Sequence, residues 1–489
     1  MRNRIAAISL AFFLVATLAA CGGGAGSMGV QPQPGPGSDM VPVSFSISDT
    51  PPAGVTILRF QIQVASAALQ PAAMGQQPVP MLPAPVEVEL EHLQTEPALL
   101  ANLNVPAGTY NGLTATFTNP QATILNEGTT NLMVGDQVCN MGQVCTLTLP
   151  LNQMTVTVQV PTAPFPITLS SNSPLGLILH FDVNASVQGD LSVSPTINLK
   201  QIPAPPGIAF ERFHVVGTLT NVSSPDFTLQ TGFGNLSFTI ATDDNTQYDF
   251  GSSCMADNFT CLMMGQVLKV SVKLMSGGML LATKVKLLEP PGLPAFEGIV
   301  INTNSAQNQF QVVLTDFQDG PNMINLIFFG IRITITPTAS AMFMIDNDGI
   351  TVPAGLSFAS VQDIVVGQTV EFHPVLPPGM NMGGTPPAFL GIGADSIRLE
   401  ASQITGTVST VNAPAMPPNF ILGGLPPLFG HAGITQLTVE PVTGTEFDNV
   451  SGLGGLSAGN TVSVGGLVFN TSGQPTVIAE TIVLRDDGD

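Results

Sequence analysis

The sequence predicts an all-β protein, in which an N-terminal β-sandwich is followed by three small antiparallel β-barrels. With 50 glycines, 42 prolines and only 9% charged residues among 489, its composition is typical of short strands joined by turns and unlike that of long helices. Apolar and polar residues alternate in segments such as 155–160, 268–274 and 331–336, which indicates half-buried strands. The same order of strand motifs recurs three times after residue 210, which indicates repeated domains.

The N-terminus has the pattern of a secretion signal. Residues 1–4 include two arginines, residues 5–20 form an uncharged apolar run, and Leu18-Ala19-Ala20 places small residues before Cys21. This pattern predicts cleavage after residue 20. The alternative is a transmembrane helix that stays in place, but a spanning helix needs roughly twenty apolar residues, more than this run has.

The residues at the cleavage point resemble the lipobox of bacterial lipoproteins. The resemblance implies that the Cys21 thiol receives a diacylglycerol, that residues 1–20 are removed, and that the new amine is acylated. Gly22 follows the cysteine, which in lipoproteins of this kind implies export to the outer membrane. Because each buried methylene contributes about 0.8 kcal/mol, two or three acyl chains would anchor the protein to the membrane.

The other four cysteines form two close pairs, Cys139/Cys145 and Cys254/Cys261. In an oxidising envelope compartment, such pairs predict local disulfides that close loops. The alternative is a four-thiolate metal site. The pairs are separated by five and six residues, wider than the usual two to four of zinc sites, so disulfides are favoured and no metal ligand is assigned.

Proline-rich breaks divide the mature chain. Residues 21–40 are rich in glycine and proline and predict a flexible tether. The sandwich is expected over 41–200 and the barrels over 211–290, 295–400 and 402–489. A short helix is predicted only for 87–103.

Each predicted barrel contains three motifs in the same order. Each begins with a strand carrying one glycine, continues with a Gly-polar pair entering a strand, and ends on a strand of similar sequence. The glycines of the first motif are Gly217, Gly298 and Gly406, and the pairs are Gly265-Gln266, Gly367-Gln368 and Gly459-Asn460. A unit of this size with about six strands suits a small closed barrel, which hides its strand edges.

These features resemble two lipoprotein domains of unknown function. The repeats are similar to a domain that opens with a Gly-Thr-Val-like strand, as in Gly406-Thr407-Val408. The first domain resembles another, through Ser48–Pro52 and through 105–110, which is similar to the turn of transthyretin-like sandwiches. The resemblance implies a transthyretin/immunoglobulin-like sandwich but no activity.

No sequence motif predicts catalysis, so no catalytic residue and no cofactor are assigned. Gly455-Leu456-Ser457-Ala458-Gly459 fits the nucleophile elbow, but that motif requires a strand-to-helix turn, and Ser457 precedes a strand. The five histidines have no partners at metal-binding spacing. Asp346–Gly349 resembles half a calcium loop but lacks the distal glutamate, so an acidic turn is favoured there, as at Asp243-Asp244.

The sequence therefore predicts a lipid-anchored, non-enzymatic envelope protein with a structural or interaction role. The net charge of −21 would repel phosphate backbones, so nucleic acid is not expected as a partner. The apolar loops 377–392 and 413–430 either contact an envelope protein or fold back over the barrels. Two alternatives remain: a module that binds a small molecule or metal ion, and a hydrolase.

Overall fold

A computed structural model describes residues 40–50, 56–90, 93–95, 97–126, 128–170, 175–203, 213–231, 236–250, 253–254, 256–275, 279–289, 295–318, 330–347, 350–375, 390–413, 415–471 and 474–485. The predicted signal peptide, Cys21 and nearly all of the predicted tether lie outside these residues. No helix within the described ranges is both long enough and apolar enough to cross a membrane.

The first domain consists of two main sheets and a separate two-stranded one. Its elements are β1 (Met40–Thr50), β2 (Ile57–Pro71), β3 (Val79–Pro80), β4 (Val86–Glu89), β5 (Ala98–Pro106), β6 (Gly108–Leu125), β7 (Leu132–Val134), β8 (Gln137–Cys139), β9 (Val144–Thr148), β10 (Thr155–Gln159), β11 (Ile167–Leu169), β12 (Leu175–Asp182), α1 (Val183–Ser186) and β13 (Ile197–Pro203). One sheet has the order β13-β12-β1-β5, and the other is built around β6 and β2.

Alternating side chains of the two sheets form the sandwich core. On β1, Phe45 is fully buried, and from the facing sheet Phe117 packs edge-on against Phe181 of β12 with ring centroids 5.2 Å apart. Tyr110 donates its hydroxyl to the carbonyl of Pro106 at 2.8 Å, which holds the turn between β5 and β6. The predicted N-terminal sandwich is therefore present.

The described residues of the segment 87–103 form no α-helix, contrary to the prediction of a short helix there. Val86 and Val88 are buried while Glu87 and Glu89 are partly exposed, and this period-two pattern lets β4 pair with β2. The rest of the segment enters β5, which pairs with β1. Pairing with neighbouring strands thus overrides the local preference for a helix.

Three barrels follow the sandwich. Barrel 1 contains β14 (Phe213–Ser223), β15 (Asp226–Gln230), β16 (Ser237–Ala241), β17 (Gln247–Asp249), β18 (Val267–Leu274) and β19 (Leu280–Glu289). Barrel 2 contains β20 (Ala295–Asn304), β21 (Gln309–Gln318), β22 (Arg332–Ile345), β23 (Thr369–Val375) and β24 (Leu390–Glu400). Barrel 3 contains β25 (Ser402–Asn412), β26 (Asn419–Gly423), α2 (Pro427–His431), β27 (Leu437–Asp448), β28 (Thr461–Phe469) and β29 (Thr476–Arg485). Short 3-10 turns lie at Phe259–Cys261, Ser305–Gln307, Val361–Asp363 and Leu453–Gly455.

All three barrels have the same strand pairing. The first strand pairs with the second and the fourth, and the last runs parallel to the third and antiparallel to the fourth. In barrel 1 the third strand is divided into β16 and β17, which both pair with β19. This Greek-key arrangement of five strand positions is that of the OB fold. The predicted fold class, a sandwich followed by three small antiparallel barrels, is confirmed.

The hydrophobic cores extend across domain boundaries. One cluster of buried residues continues from the sandwich into barrel 1, and the cluster of barrel 2 includes Leu467, Phe469 and Ile478 of barrel 3. A smaller cluster joins Leu58 of the sandwich to Val313 of barrel 2 and Leu428 of barrel 3. Each barrel closes its own sheet, but the hydrophobic cores are shared between neighbouring domains.

Candidate functional site

The glycine of the first repeat motif has a steric role. A Cβ atom at Gly217, Gly298 or Gly406 would lie 2.6 Å from a backbone carbonyl oxygen of the second strand. The same contact occurs in all three barrels, because the first strand crosses closely over its neighbour at this point. The motif is therefore a packing requirement of the barrel.

We expect Gly298→Ala to lower the free energy of unfolding by about 1–3 kcal/mol, as overpacking usually does. The added methyl group would lie 2.6 Å from the carbonyl oxygen of Val313, so β20 and β21 must separate. Urea unfolding followed by circular dichroism measures the loss. Gly391→Ala, on β24 of the same barrel, is the control: nothing lies within 4 Å of its Cβ position, and we expect a change of less than about 0.5 kcal/mol. Equal effects of the two variants would contradict this account.

The Gly-polar pair of each barrel forms one recurring turn. Gly265, Gly367 and Gly459 have φ angles of 89°, 89° and 95°, a conformation that favours glycine. Their N–H groups donate to carbonyls of the first strand at 2.8, 2.9 and 2.8 Å. The polar side chain that follows accepts a hydrogen bond from the backbone N–H three residues earlier; these acceptors are Gln266, Gln368 and Asn460.

Ser457 belongs to this turn. Its N–H donates to Oδ1 of Asn460 at 2.6 Å, and Met263 and Val365 occupy the same position in the other barrels. The turn leads into strand β28 and not into a helix. The Ser457 environment therefore lacks the strand-to-helix geometry that exposes a nucleophilic serine.

Both predicted disulfides are present. Cys139 and Cys145 are bonded with their Cα atoms 5.7 Å apart, and Cys254 and Cys261 with theirs 5.8 Å apart. The first disulfide joins the end of β8 to β9, and the second ends on a 3-10 turn. Each closes a short segment next to a buried core.

Removing the first disulfide in a Cys139→Ser/Cys145→Ser variant is expected to cost about 2 kcal/mol, since even a short cross-linked loop restricts the unfolded chain. Urea unfolding without reductant measures this loss. Thiol alkylation and non-reducing peptide mapping of the unmutated protein should find no free thiol at these four cysteines. A free thiol, or unchanged stability of the variant, would contradict the prediction.

The first and last domains contact each other directly. Oγ1 of Thr95 donates to Oε1 of Gln403 at 2.6 Å, and Oγ1 of Thr405 donates to Oε1 of Gln94 at 2.9 Å. The guanidinium of Arg485, at the end of β29, donates to the carbonyl of Gln94 and to Oγ of Ser463. These contacts place barrel 3 against the loop between β4 and β5.

A cavity of about 310 Å³ lies where these domains meet. We call it the junction cavity. The sandwich and all three barrels line it with apolar side chains and with seven carboxylates and two ammonium groups. The charged residues are Glu87, Glu89, Lys269, Lys286, Glu297, Asp346, Glu371, Glu400 and Glu480. In a chain with 9% charged residues, nine charged side chains around one cavity are a strong local concentration of charge.

Several of these charges are paired across the junction. Lys286 of barrel 1 has a side chain only 8% exposed; it forms an ion pair with Asp346 of barrel 2, and its Nζ lies 3.6 Å from Oε2 of Glu400. Within barrel 2, Nη1 of Arg398 lies 3.1 Å from Oε1 of the buried Glu371. Lys286 thus links barrel 1 to two carboxylates of barrel 2.

The sequence predicted acidic turns at 346–349 and at Asp243-Asp244; Asp348 and Gly349 lie outside the described residues. Asp346 turns its carboxylate toward Lys286. Asp243 forms a turn in which the N–H of Asn245 donates to its carboxylate at 2.9 Å, which lowers the pKa of Asp243 below its usual range. Of the histidines, His92 and the side chain of His214 lie outside the described residues.

His180 has an environment that changes its chemistry. Burial lowers the pKa of His180 to about 4, and the nearby positive charges of Arg485 and Lys200 act in the same direction. Its Nδ1 lies 2.5 Å from Oγ of Ser48. The imidazole is therefore neutral near pH 7 and lies between the sandwich and barrel 3.

The described residues contain no group of three His, Cys, Asp or Glu side chains arranged to hold a metal ion. In loop 413–430, only the C-terminal end is shown to fold back: Leu428 and Phe429 are 4% and 3% exposed, whereas Met416 is almost fully exposed. Nearly all of loop 377–392 lies outside the described residues.

Sequence reasoning did not find the junction cavity. A signal existed in charged residues placed within otherwise apolar strands, such as Glu371 in β23 and Lys286 in β19. That signal marks buried charges but does not show which strands meet, because the cavity depends on how the domains dock.

The fold and the junction define a multidomain all-β protein built from a sandwich and repeated OB-type barrels. Residues 41–200 match the domain of unknown function DUF4382, and residues 216–286 match the domain of unknown function DUF5666. No curated protein matches the chain.

Two solved structures show distant similarity. One is the Drosophila Unr CSD456 structure, with 10% identity and a TM-score of 0.14, covering 57% of this chain and 100% of that one. The other is a multidomain protein with nucleic acid binding domains from Streptococcus pneumoniae TIGR4, with 9% identity and a TM-score of 0.10, covering 56% and 72%. At these TM-scores the similarities carry no argument about this chain.

Proposed function

We propose that this chain is a lipid-anchored, non-enzymatic protein of the cell envelope with a structural or interaction role. The observation that carries the proposal is the contact of the sandwich with barrel 3, which brings the first and last domains around one junction. Such an arrangement would present several domains as one body on a lipid anchor. The turn around Ser457 supports a role without catalysis.

Charge argues against nucleic acid as the partner. In OB folds the face of strands two and three commonly binds oligonucleotides. Here the second and third strands of the three barrels contain one basic residue, Arg332, and six acidic ones, which are Asp226, Asp249, Asp316, Glu440, Glu446 and Asp448. A face with this balance would repel phosphates.

Replacing Cys21 by serine tests the anchor. We expect the variant to lose incorporation of an alkyne-labelled palmitate and to leave the membrane fraction or remain uncleaved, because the thiol that would receive the diacylglycerol is gone. Cys254→Ser is the matched control and should keep both the label and the membrane location. The lipid anchor would be contradicted if the Cys21→Ser variant stayed in the membrane fraction and the unmutated protein carried no acyl group.

A fluorophosphonate probe tests the absence of hydrolase chemistry. We expect no labelling of Ser457 in the folded chain, and labelling there would replace this proposal with a hydrolase.

Chemical cross-linking in intact cells, followed by mass spectrometry, tests the interaction role. A stoichiometric envelope partner supports it, and cross-links only within the chain would weaken it.

The junction cavity favours a second candidate, the binding of a small molecule. Saturation-transfer NMR with a panel of small amines, sugars and carboxylic acids tests it. Ala98 lines the cavity, so Ala98→Phe should abolish binding of any compound held there. Binding that survives this substitution would place the compound elsewhere.

A further inference from the structure

The methionines of this chain are distributed unusually. Methionine is ordinarily among the residues most often buried. Of the methionines whose side chains are described, Met81 is fully buried, whereas ten are exposed. The exposed ones are Met40, Met74, Met133, Met141, Met154, Met263, Met264, Met279, Met342 and Met416.

Other oxidisable side chains are scarce at the described surface. The sequence contains no tryptophan and only two tyrosines, of which Tyr110 is 3% exposed. The four cysteines of the described residues are bonded in disulfides. The thioethers are therefore the main oxidisable groups that solvent reaches on this surface.

We propose that these exposed methionines are modification sites that consume two-electron oxidants, namely hydrogen peroxide and hypochlorous acid. With peroxide, the sulfur lone pair attacks one oxygen, the O–O bond breaks, and the products are a sulfoxide and water. With hypochlorous acid, sulfur takes the chlorine and hydroxide leaves. Water then displaces chloride, and one of its two protons neutralises that hydroxide, so the products are a sulfoxide, chloride and one proton. Each sulfur loses two electrons, and each oxidant molecule gains them. Methionine sulfoxide reductases can reverse the change.

The fold is arranged to tolerate this chemistry. A sulfoxide is polar, and it disrupts a protein mainly when it forms in a core. Met74 and Met416 are almost fully exposed, and Met263 and Met264 lie on the turn beside the second disulfide. At these positions the S=O group would project into water. Met81 is the internal contrast, since oxidation there would place a polar group among apolar side chains.

Peptide mapping of the full chain after treatment with hydrogen peroxide, and separately with hypochlorous acid, tests the proposal. We expect the ten exposed methionines to gain oxygen at least about tenfold faster than Met81, because oxidation follows exposure. The thermal unfolding midpoint should stay within about 2 °C of that of untreated protein. Methionine sulfoxide reductase should restore the original mass.

A variant with all ten residues changed to leucine should consume much less hypochlorous acid, and Met81→Leu should consume as much as the unmutated chain. If the ten-site variant does not fold, the ranking of oxidation rates in the unmutated chain decides. Oxidation of Met81 at the same rate as the exposed sites, unfolding of the oxidised protein, or undiminished consumption by a folded ten-site variant would overturn the proposal. If the reductase did not restore the original mass, the claim that the oxidation is reversible would be overturned.

Discussion

Replacing Lys286 by methionine is expected to lower the free energy of unfolding by about 3–5 kcal/mol, the usual cost of breaking a buried ion pair from one side. The variant would leave Asp346 and Glu400 without the ammonium that links them to barrel 1. Because the Lys286 and Asp346 side chains are only 8% and 6% exposed, water can replace little of the lost interaction. Urea unfolding followed by circular dichroism measures the effect.

Lys284→Met is the matched control, because Lys284 lies two residues earlier on the same strand and is more exposed. We expect it to cost less than about 1 kcal/mol, as exposed pairs do. A triple variant, Lys286→Met/Asp346→Asn/Glu400→Gln, should recover part of the loss because it removes the uncompensated charges. If Lys286→Met cost no more than Lys284→Met, the ion pairs would not stabilise the junction.

The second large effect is expected with pH. The pKa of His180 is lowered to about 4 from its usual 6.5, so between these values the unfolded chain binds a proton that the folded chain does not. The contribution of His180 to stability is therefore fully present above pH 6.5 and is lost as the pH falls toward 4. Integrated over that window, the loss amounts to about 3 kcal/mol.

Urea unfolding at several pH values, compared between the unmutated chain and His180→Gln, measures this contribution. Carboxylates titrate in both proteins, so the difference between the two curves isolates His180. We expect His180→Gln to flatten the curve between pH 6.5 and 4. His431→Gln, at an exposed position, controls for the loss of an imidazole. This variant should show the same dependence of unfolding free energy on pH as the unmutated chain. Parallel curves for the unmutated chain and His180→Gln would contradict the prediction.

The features that sequence reasoning predicted are local ones. The period-two pattern marks strands, a glycine marks each close crossing, and cysteines six or seven residues apart pair with each other. The repeated Gly-polar pair was found from the sequence because its hydrogen bonds recur within each barrel. Each of these signals lies within one domain.

The junction could not be predicted in the same way. Its hydrogen bonds join residues separated by 308 to 391 positions, such as Thr95 with Gln403 and Gln94 with Arg485. A single sequence shows that Lys286 is charged but not that it faces Asp346 and Glu400. The segment 87–103 was mispredicted for a related reason, since its partners β2 and β1 decide its conformation.

The contact between the first and last domains also affects the order in which the chain can complete its folding. The sandwich is synthesised first, but the hydrogen bonds of Thr56, Gln94 and Thr95 to barrel 3 can form only after barrel 3 has been made. Until then Leu58 lacks the cover of Leu428, and an uncovered apolar patch makes a folding intermediate prone to aggregation. A nascent chain interrupted before β25 would carry this patch permanently, which gives proteases and chaperones a physical mark of incomplete synthesis.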